Sequence, residues 1–141
     1  MLLVLGGAAS AATSAVATLA EPATITARLG GGDAEPVLRL QVSPASHATG
    51  AQVLLRVFVN QPDANAKSPL GGVGFVGSFA FSPEADGPEE VGLPLAPELA
   101  RLLRAPDAGP PTVTVVPVRL RVGPTAGDGA VTVGEAVVEG L

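Results

Sequence analysis

The stretch that decides the fold is VLLRVFVNQPDANAKSPLGGVGFVGSFAF, at Val53–Phe81. It holds two apolar runs rich in Val and Phe, with a polar loop containing Pro and Gly residues between them. The first run, Gln52–Asn60, is apolar on both faces except at Arg56, a pattern typical of a central strand covered on both sides. The second run, Phe75–Phe81, predicts another strand of this kind, with its phenylalanines on one face: Phe75, Phe79 and Phe81.

Four other segments alternate apolar and polar side chains, as half-buried strands do. They are Thr24–Leu29, Val37–Val42, Thr112–Val122 and Val131–Glu139. Gly30–Asp33 is a turn signal between the first two and predicts a hairpin. In the third segment, Pro117 cannot donate to a ladder and indicates an edge position or a bulge. In the last, Gly134 indicates a bulge that keeps the apolar side inward.

The one predicted helix is PELARLLR, at Pro97–Arg104. Proline suits the first helical position, and the leucines form one apolar face: Leu99, Leu102 and Leu103. The segment before it, Pro83–Pro94, is acidic and rich in turn residues. About six to eight short strands with one short helix near 97–104 predict an all-β fold, an antiparallel β-sandwich formed by a single domain over residues 23–141.

Composition excludes several classes of partner. The chain has 141 residues, 47% of them apolar and only four of them aromatic, so we expect a core of aliphatic side chains. Its net charge is −5, and its eight Lys and Arg residues are not clustered. Nucleic acids and anionic membranes bind through clustered cations, so neither is an expected partner. Cysteine is absent, so thiols give no indication of the compartment.

Residues 1–22 are predicted to be a linker or N-terminal extension, or an added strand. Residues 2–20 carry no charge. A secretory signal peptide is the first alternative, because the segment has an apolar start and small residues at 9–11, although it lacks a basic region. A membrane span is disfavoured, since most of these residues are small. A cytoplasmic and a secreted location both remain open.

The sequence shows no constellation of catalytic residues. The single histidine, His47, lies in a predicted loop beside Ser and Thr and is expected to be a solvated surface residue. No serine occurs in a GxSxG motif. The carboxylates of Glu84–Glu90 lack the alternating pattern of a calcium loop and predict a solvated acidic loop. We therefore expect this chain to have no catalytic residue, no metal site, no cofactor and no enzyme activity of its own.

The opening stretch resembles the C-terminal β-sandwich domain of the type 3 copper proteins, the family of bacterial tyrosinases, plant polyphenol oxidases and molluscan haemocyanins. Two blocks, RVFVN and GSF, carry the resemblance. Their family-motif residues are Arg56, Phe58, Asn60, Gly77, Ser78 and Phe79. Three later blocks are similar to the short helix, a strand and the closing strand of that family: Leu95–Leu103, Val113–Val118 and Val131–Glu139. Two positions depart from the family pattern, Gly74, where many relatives have a bulky residue or His, and Glu135, where they have Gly.

The resemblance implies a function. In that family, histidines of a separate helical domain bind copper, and the β-sandwich covers the entrance to the copper pocket. An apolar side chain of the cover can take the place of the substrate. With one histidine this chain cannot be the oxidase, so it is implied to be a non-catalytic shielding domain. The implied partner is the helical copper-binding domain, in cis or in trans.

Leu70 and Phe75 are the candidate plugs, because both are large apolar residues on a loop flanked by glycines. The alternative for Phe75 is a position in the core. The alternative function for the whole chain is an independent β-sandwich module for binding or self-assembly, in the cytoplasm or secreted. Unpaired edges at Thr24–Leu29 or Thr112–Val122 are the predicted surfaces for self-association.

Overall fold

A computed structural model describes residues 15–18, 21–32, 35–44, 53–81, 89–119 and 131–141. These residues form nine strands and one short helix, which confirms the predicted all-β antiparallel sandwich. The elements are β1 (Ala15–Ala17), β2 (Ala23–Thr26), β3 (Arg28–Leu29), β4 (Val37–Pro44), β5 (Val53–Val59), β6 (Phe75–Phe81), β7 (Glu89–Pro94), α1 (Pro97–Leu103), β8 (Thr112–Arg119) and β9 (Val131–Glu139).

The strands form two sheets. Sheet A has the order β1-β9-β4-β7, with β3 also paired to β9, and sheet B has the order β2-β8-β5-β6. All pairings are antiparallel except the short one between β3 and β9. The inward faces of both sheets meet in one aliphatic core, whose fully buried side chains include Leu38 and Leu40 from sheet A and Leu55 and Val57 from sheet B.

Strand β5 is central, as its two apolar faces predict, because β8 pairs with one side of it and β6 with the other. Strand β6 is not central. It pairs with β5 alone and forms an edge of sheet B in the described part of the chain. The same apolar pattern therefore led to a wrong prediction for β6, since periodicity reports buried side chains and not paired backbone.

The phenylalanines of β6 do not share one face. The register places Val57 opposite Gly77 but Phe58 opposite Phe75, so Val76 is an extra residue in β6. This bulge reverses the side-chain parity on its two sides. Phe79 packs against the core between the sheets, whereas Phe75 packs on the outer face of sheet B.

The predicted hairpin at Gly30–Asp33 is not formed. Thr24–Leu29 is divided between two sheets, because β2 pairs with β8 in sheet B while β3 pairs with β9 in sheet A. The crossing occurs at buried Ala27, whose N–H donates to the carbonyl of Pro111 at 2.8 Å. Strand β9 separates β3 from β4. Glycines indicate a turn but do not identify the strands that pair across it.

Strand β8 lies between β2 and β5, so the predicted edge at Thr112–Val122 is wrong for its paired part. The edge position that Pro117 indicates is nevertheless correct for the end of β8 in which Pro117 lies. The pairing of β8 with β2 stops at Val115, opposite Ala23, the first residue of β2, while β8 continues along β5 as far as Arg119. The N–H of Asn60 donates to the carbonyl of Thr112, so the backbone groups of Thr112 point toward β5. These groups alternate between the two sides of a strand, so those of residue 117, five positions later, point away from β5. The N–H that Pro117 lacks is therefore missing on the side away from β5. No described strand needs a donor there.

The bulge predicted at Gly134 is confirmed. Gln41 lies opposite Glu135 and Val42 lies opposite Val133, which leaves Gly134 without a partner residue in β4. The bulge brings apolar residues of both parities to the core: Val131, Val133, Ala136 and Val138. Glu135, which departs from the family pattern, does not prevent this bulge.

Helix α1 is present where it was predicted, with Pro97 in its first turn. It buries Leu99, Ala100 and Leu103, whereas Leu102 is 55% exposed and does not belong to the apolar face. The guanidinium of Arg104 donates to the carbonyl of Gly140 at 3.0 Å and ties the end of the helix to the end of β9. The acidic segment before the helix was predicted to be turns, but its second half is β7, which pairs with β4.

Near the N-terminus, Ala15–Ala17 form β1, which pairs with β9. Residues 1–14 lie outside the described residues, so the role predicted for them stays a prediction. In the part of the chain that the structure describes, no helix has the length and apolar character needed to cross a membrane.

A matched pair of leucines tests the assignment of core and surface. Leu55→Ala removes a side chain with no exposed surface and should lower the free energy of unfolding by about 2–5 kcal/mol. Leu102→Ala truncates the same side chain on the surface and should change it by less than about 0.5 kcal/mol. Urea denaturation of both variants measures the difference, and equal losses would contradict the assignment.

Candidate functional site

A second apolar cluster lies on the outer face of sheet B, separate from the core. This outer cluster contains buried Phe58, Ala64 and Val116, with half-buried Phe75 and Val118 at its border. The rings of Phe58 and Phe75 lie 5.3 Å apart with 52° between their planes, a geometry favourable for aromatic pairs. Ala64 belongs to the chain between β5 and β6, so residues 60–74, hereafter the β5–β6 loop, fold back onto the sheet.

Arg56 fixes the middle of the β5–β6 loop. Its side chain interrupts the apolar pattern of β5 on the outer face and is half-buried there. Its guanidinium donates to the carbonyl of Ala66 at 3.2 Å. The arginine that looked anomalous within an apolar strand is therefore a hydrogen-bond anchor for the loop.

Asn60 fixes the start of the loop. Its φ of 57° lies in the left-handed region, which Asn adopts more readily than most residues. This turn of the backbone ends β5 while keeping contact with the neighbouring strand. The N–H of Asn60 donates to the carbonyl of Thr112 at 2.8 Å, and its Oδ1 accepts from the N–H of Thr112 at 3.0 Å.

A tight turn lies in the middle of the loop. The Oδ1 of Asn65 accepts from the N–H of Lys67 at 2.8 Å, and the Oγ of Ser68 accepts from the N–H of Asn65 at 2.9 Å. Side-chain acceptors of this kind replace the ladder bonds that a loop lacks. The loop therefore has an internally bonded conformation.

Gly74 closes the loop against β5. Its carbonyl accepts from the N–H of Val59 at 2.7 Å. A Cβ at this position would lie 2.8 Å from the carbonyl oxygen of Val59 and would also collide with the side-chain oxygen of Gln61. The departure from the family pattern at Gly74 therefore has a physical reason in this chain, since the space for a bulky side chain is already filled.

The tip of the loop exposes apolar side chains. Leu70 is 43% exposed and Val73 is 39% exposed, and Gly71 and Gly72 lie between them with open space around their backbone. Phe75, the other candidate plug, is half-buried against Phe58. Of the two predicted residues, Leu70 is placed at the surface and Phe75 at the border of the outer cluster.

The second family block lies on β6. Gly77 faces the core opposite Val57, where a Cβ would meet Leu93 at an ordinary contact distance of 3.7 Å. Ser78 is exposed opposite Arg56, and Phe79 is half-buried opposite Leu55. The structure places all three within the paired part of β6.

The loop also borders an open depression of about 350 Å³. Its lining residues are Asn60, Gln61, Pro62, Asp63, Ala64 and Ser68. The Oε1 of Gln61 is buried and has no hydrogen-bond partner, but it lies against Gly74. The single carboxylate of Asp63 is not joined by a second acidic side chain in this lining.

No group of three His, Cys, Asp or Glu side chains that could hold a metal ion occurs among the described residues. His47 and most of the acidic loop, including Glu84 and Asp86, lie outside them, so those predictions stay predictions. Glu89 and Glu90 are the exposed first residues of β7. Glu90 lies 3.5 Å from the guanidinium of Arg39.

The outer face of sheet A is a polar surface. Arg39 pairs with Glu139 as well as Glu90, and Arg28 pairs with Glu135. The hydrogen bond and charge of Glu139 raise the pKa of Arg39 above its ordinary value. Exposed pairs of this type contribute little to stability, so the stability of sheet A does not depend on them.

Sequence reasoning identified the loop but missed its anchors. It gave no role to Arg56 beyond a motif position, and it did not consider Val73 as part of the exposed tip. The positive φ of Asn60 had a signal, since Asn directly after an apolar strand favours a left-handed turn. No feature of the sequence predicted the hydrogen bond from Arg56 to Ala66, because it joins the side chain of a strand residue to a backbone carbonyl of the loop.

No family model, curated protein or solved structure matches the chain. The resemblance to the type 3 copper proteins therefore rests on the sequence blocks alone.

Two glycines of the loop allow a matched test of its closure. Gly74→Ala should lower the free energy of unfolding by about 1–3 kcal/mol, because the new Cβ must displace the backbone of Val59. Gly72→Ala meets no atom within 4 Å and should be neutral within about 0.5 kcal/mol. Thermal or urea unfolding distinguishes the two, and a neutral Gly74→Ala would show that the loop closes differently.

Asn60 combines a backbone conformation with a side-chain bond, and two variants separate these contributions. Asn60→Ala loses both and should destabilise the protein by about 1–3 kcal/mol. Asn60→Gly loses only the bond to Thr112 and should cost less, because Gly adopts the left-handed region without strain. The order of the two unfolding midpoints is the measurement, and a more stable alanine variant would contradict it.

Proposed function

We propose that this chain is a non-catalytic shielding domain of a tyrosinase-like type 3 copper protein. In this proposal it packs over the entrance to the copper pocket of a helical domain and limits access of the substrate. The contact is made by the tip of the β5–β6 loop, with Leu70 as the inserted side chain and Val73 beside it.

The observation that carries the proposal is the shared role of three family-motif residues. Arg56 bonds to Ala66, Phe58 is buried under the loop, and Asn60 sets its first turn. All three hold in place the loop whose tip exposes Leu70. An apolar side chain on a loop that is already held in place loses less conformational entropy on binding than one on a flexible loop, which favours its use as a plug.

The geometry favours Leu70 over Phe75 as the plug. Phe75 would have to leave its contact with Phe58, and the outer cluster would lose part of its packing. Leu70 is accessible without rearrangement. Position 74 has no room for a side chain, so in this chain the plug belongs to a residue nearer the tip.

Copper belongs to the partner in this proposal. The chain has one histidine and so lacks the set that a dinuclear centre of this kind requires. The described residues contribute shape and apolar contact, and no bond to the metal is assigned to them. The chemistry of phenol oxidation would remain entirely with the helical domain.

The test uses the purified chain and a copper-loaded tyrosinase catalytic domain that lacks its own cover. The initial rate of diphenol oxidation should fall as the wild-type chain is added. Leu70→Ala should raise the concentration needed for half-inhibition by about tenfold or more, as expected for loss of an anchor side chain. Leu102→Ala, which truncates a leucine exposed elsewhere, should inhibit like the wild type.

Two results would count against the proposal. Absence of both binding and inhibition by the wild-type chain would remove the covering role. Equal inhibition by the wild type and Leu70→Ala would retain a cover but remove Leu70 as its plug. Circular dichroism of each variant checks that the sandwich is intact.

A further inference from the structure

Strand β6 presents an unusually open edge. Its outer side has no neighbour among the described residues, and its seven residues, FVGSFAF, carry no charge. Edges of this kind are templates for another strand, and natural sheets usually protect them with charge, proline, short length or bulges. The bulge at Val76 protects only the first part of β6, so Gly77–Phe81 remains regular and exposed to pairing.

The hydrogen-bond pattern identifies which groups face outward. The N–H of Val59 donates to Gly74, on the β6 side, whereas the N–H of Asn60 donates to Thr112, on the β8 side. Backbone groups alternate between the two sides along a strand. Val57 and Leu55 therefore bond toward β6, and their partners Gly77 and Phe79 bond back toward β5. The outward-facing N–H and C=O groups are those of Ser78 and Ala80.

The other described edges are protected. Strand β7 begins with two exposed glutamates and ends with a proline: Glu89, Glu90 and Pro94. Strands β1 and β3 have three and two residues, and β2 has four. Among the described edge strands, only β6 combines length, regularity and absence of charge.

We propose that β6 pairs antiparallel with β6 of a second copy of this chain, which joins two copies of sheet B into one continuous sheet. A two-fold axis through Phe79 places Ser78 opposite Ala80 of the second copy and Ala80 opposite its Ser78. All outward-facing groups of these residues then bond, and the two Phe79 side chains become a close, non-hydrogen-bonded pair.

Two observations favour a second copy as the occupant, for which the register chosen above is self-complementary, as a two-fold interface requires. The chain has a net charge of −5, and the residues of β6 that would pair contribute no carboxylate to the contact. Phe79 is only half-buried within one copy, so pairing would cover its remaining apolar surface. This inference does not depend on the proposed covering function, because the β5–β6 loop tip takes no part in the pairing.

Sedimentation of the full chain over about 1 µM to about 1 mM tests the proposal. A monomer–dimer equilibrium is expected for the wild type. Ser78→Lys places a charge beside the two-fold axis, opposite Ala80 of the second copy, and Ala80→Pro removes an outward donor without loss of a bond to β5. Both should weaken dimerisation by about tenfold or more. Leu102→Lys adds the same charge on the exposed side of α1 and should leave dimerisation unchanged.

Cross-linking tests the register, because the chain has no cysteine of its own. Ser78→Cys and Ala80→Cys variants, mixed and oxidised, should form the mixed disulfide faster than either variant alone forms its own. A wild type that stays monomeric throughout would overturn the proposal. So would a dimer that is unaffected by Ser78→Lys and Ala80→Pro, or one that shows no preference for the mixed disulfide.

Discussion

Burial of β5 on both of its faces is the constraint on which the rest of the structure depends. Toward sheet A, Leu55, Val57 and Val59 enter the core. Toward the outside, Phe58 is equally inaccessible to water, although neither of the two described sheets lies on that side. Among the described residues, the β5–β6 loop is the segment that covers Phe58, so the loop cannot extend into solvent without exposing an aromatic side chain.

The covering of Phe58 determines the form of the loop. Ala64 provides the small apolar side chain that fits against the ring, and Val116 of β8 completes the buried contact. Arg56 satisfies a loop carbonyl above the same face. Because these contacts fix the two arms of the loop, its tip is displaced from the sheet, and Leu70 and Val73 become its exposed residues.

The sequence was sufficient to predict elements whose signal is local. Apolar alternation located β4, β8 and β9, a run that is apolar on both faces located β5, the parity change beside Gly134 located a bulge, and Pro97 located the start of α1. Pairing partners were less predictable. The break at Ala27 sends one apparent strand into two sheets, and the bulge at Val76 turns Phe75 outward, yet neither has a distinct residue signature. Both features depend on pairing with strands that are distant in the sequence, and the alternation of apolar and polar residues does not identify those strands. For the candidate site, Leu70 and the motif residues were identified from sequence, whereas the anchoring role of Arg56 and Asn60 required the fold.

The core and the outer cluster have no side chain in common, although β5 and β8 contribute to both. Sheet B therefore separates the core from the outer cluster. The exposed residues at the loop tip belong to neither of them, so these residues can be substituted while the sandwich keeps its architecture. Residues 69–73, which follow the bonds made by Ala66 and Ser68, are therefore a natural position for grafting foreign peptides.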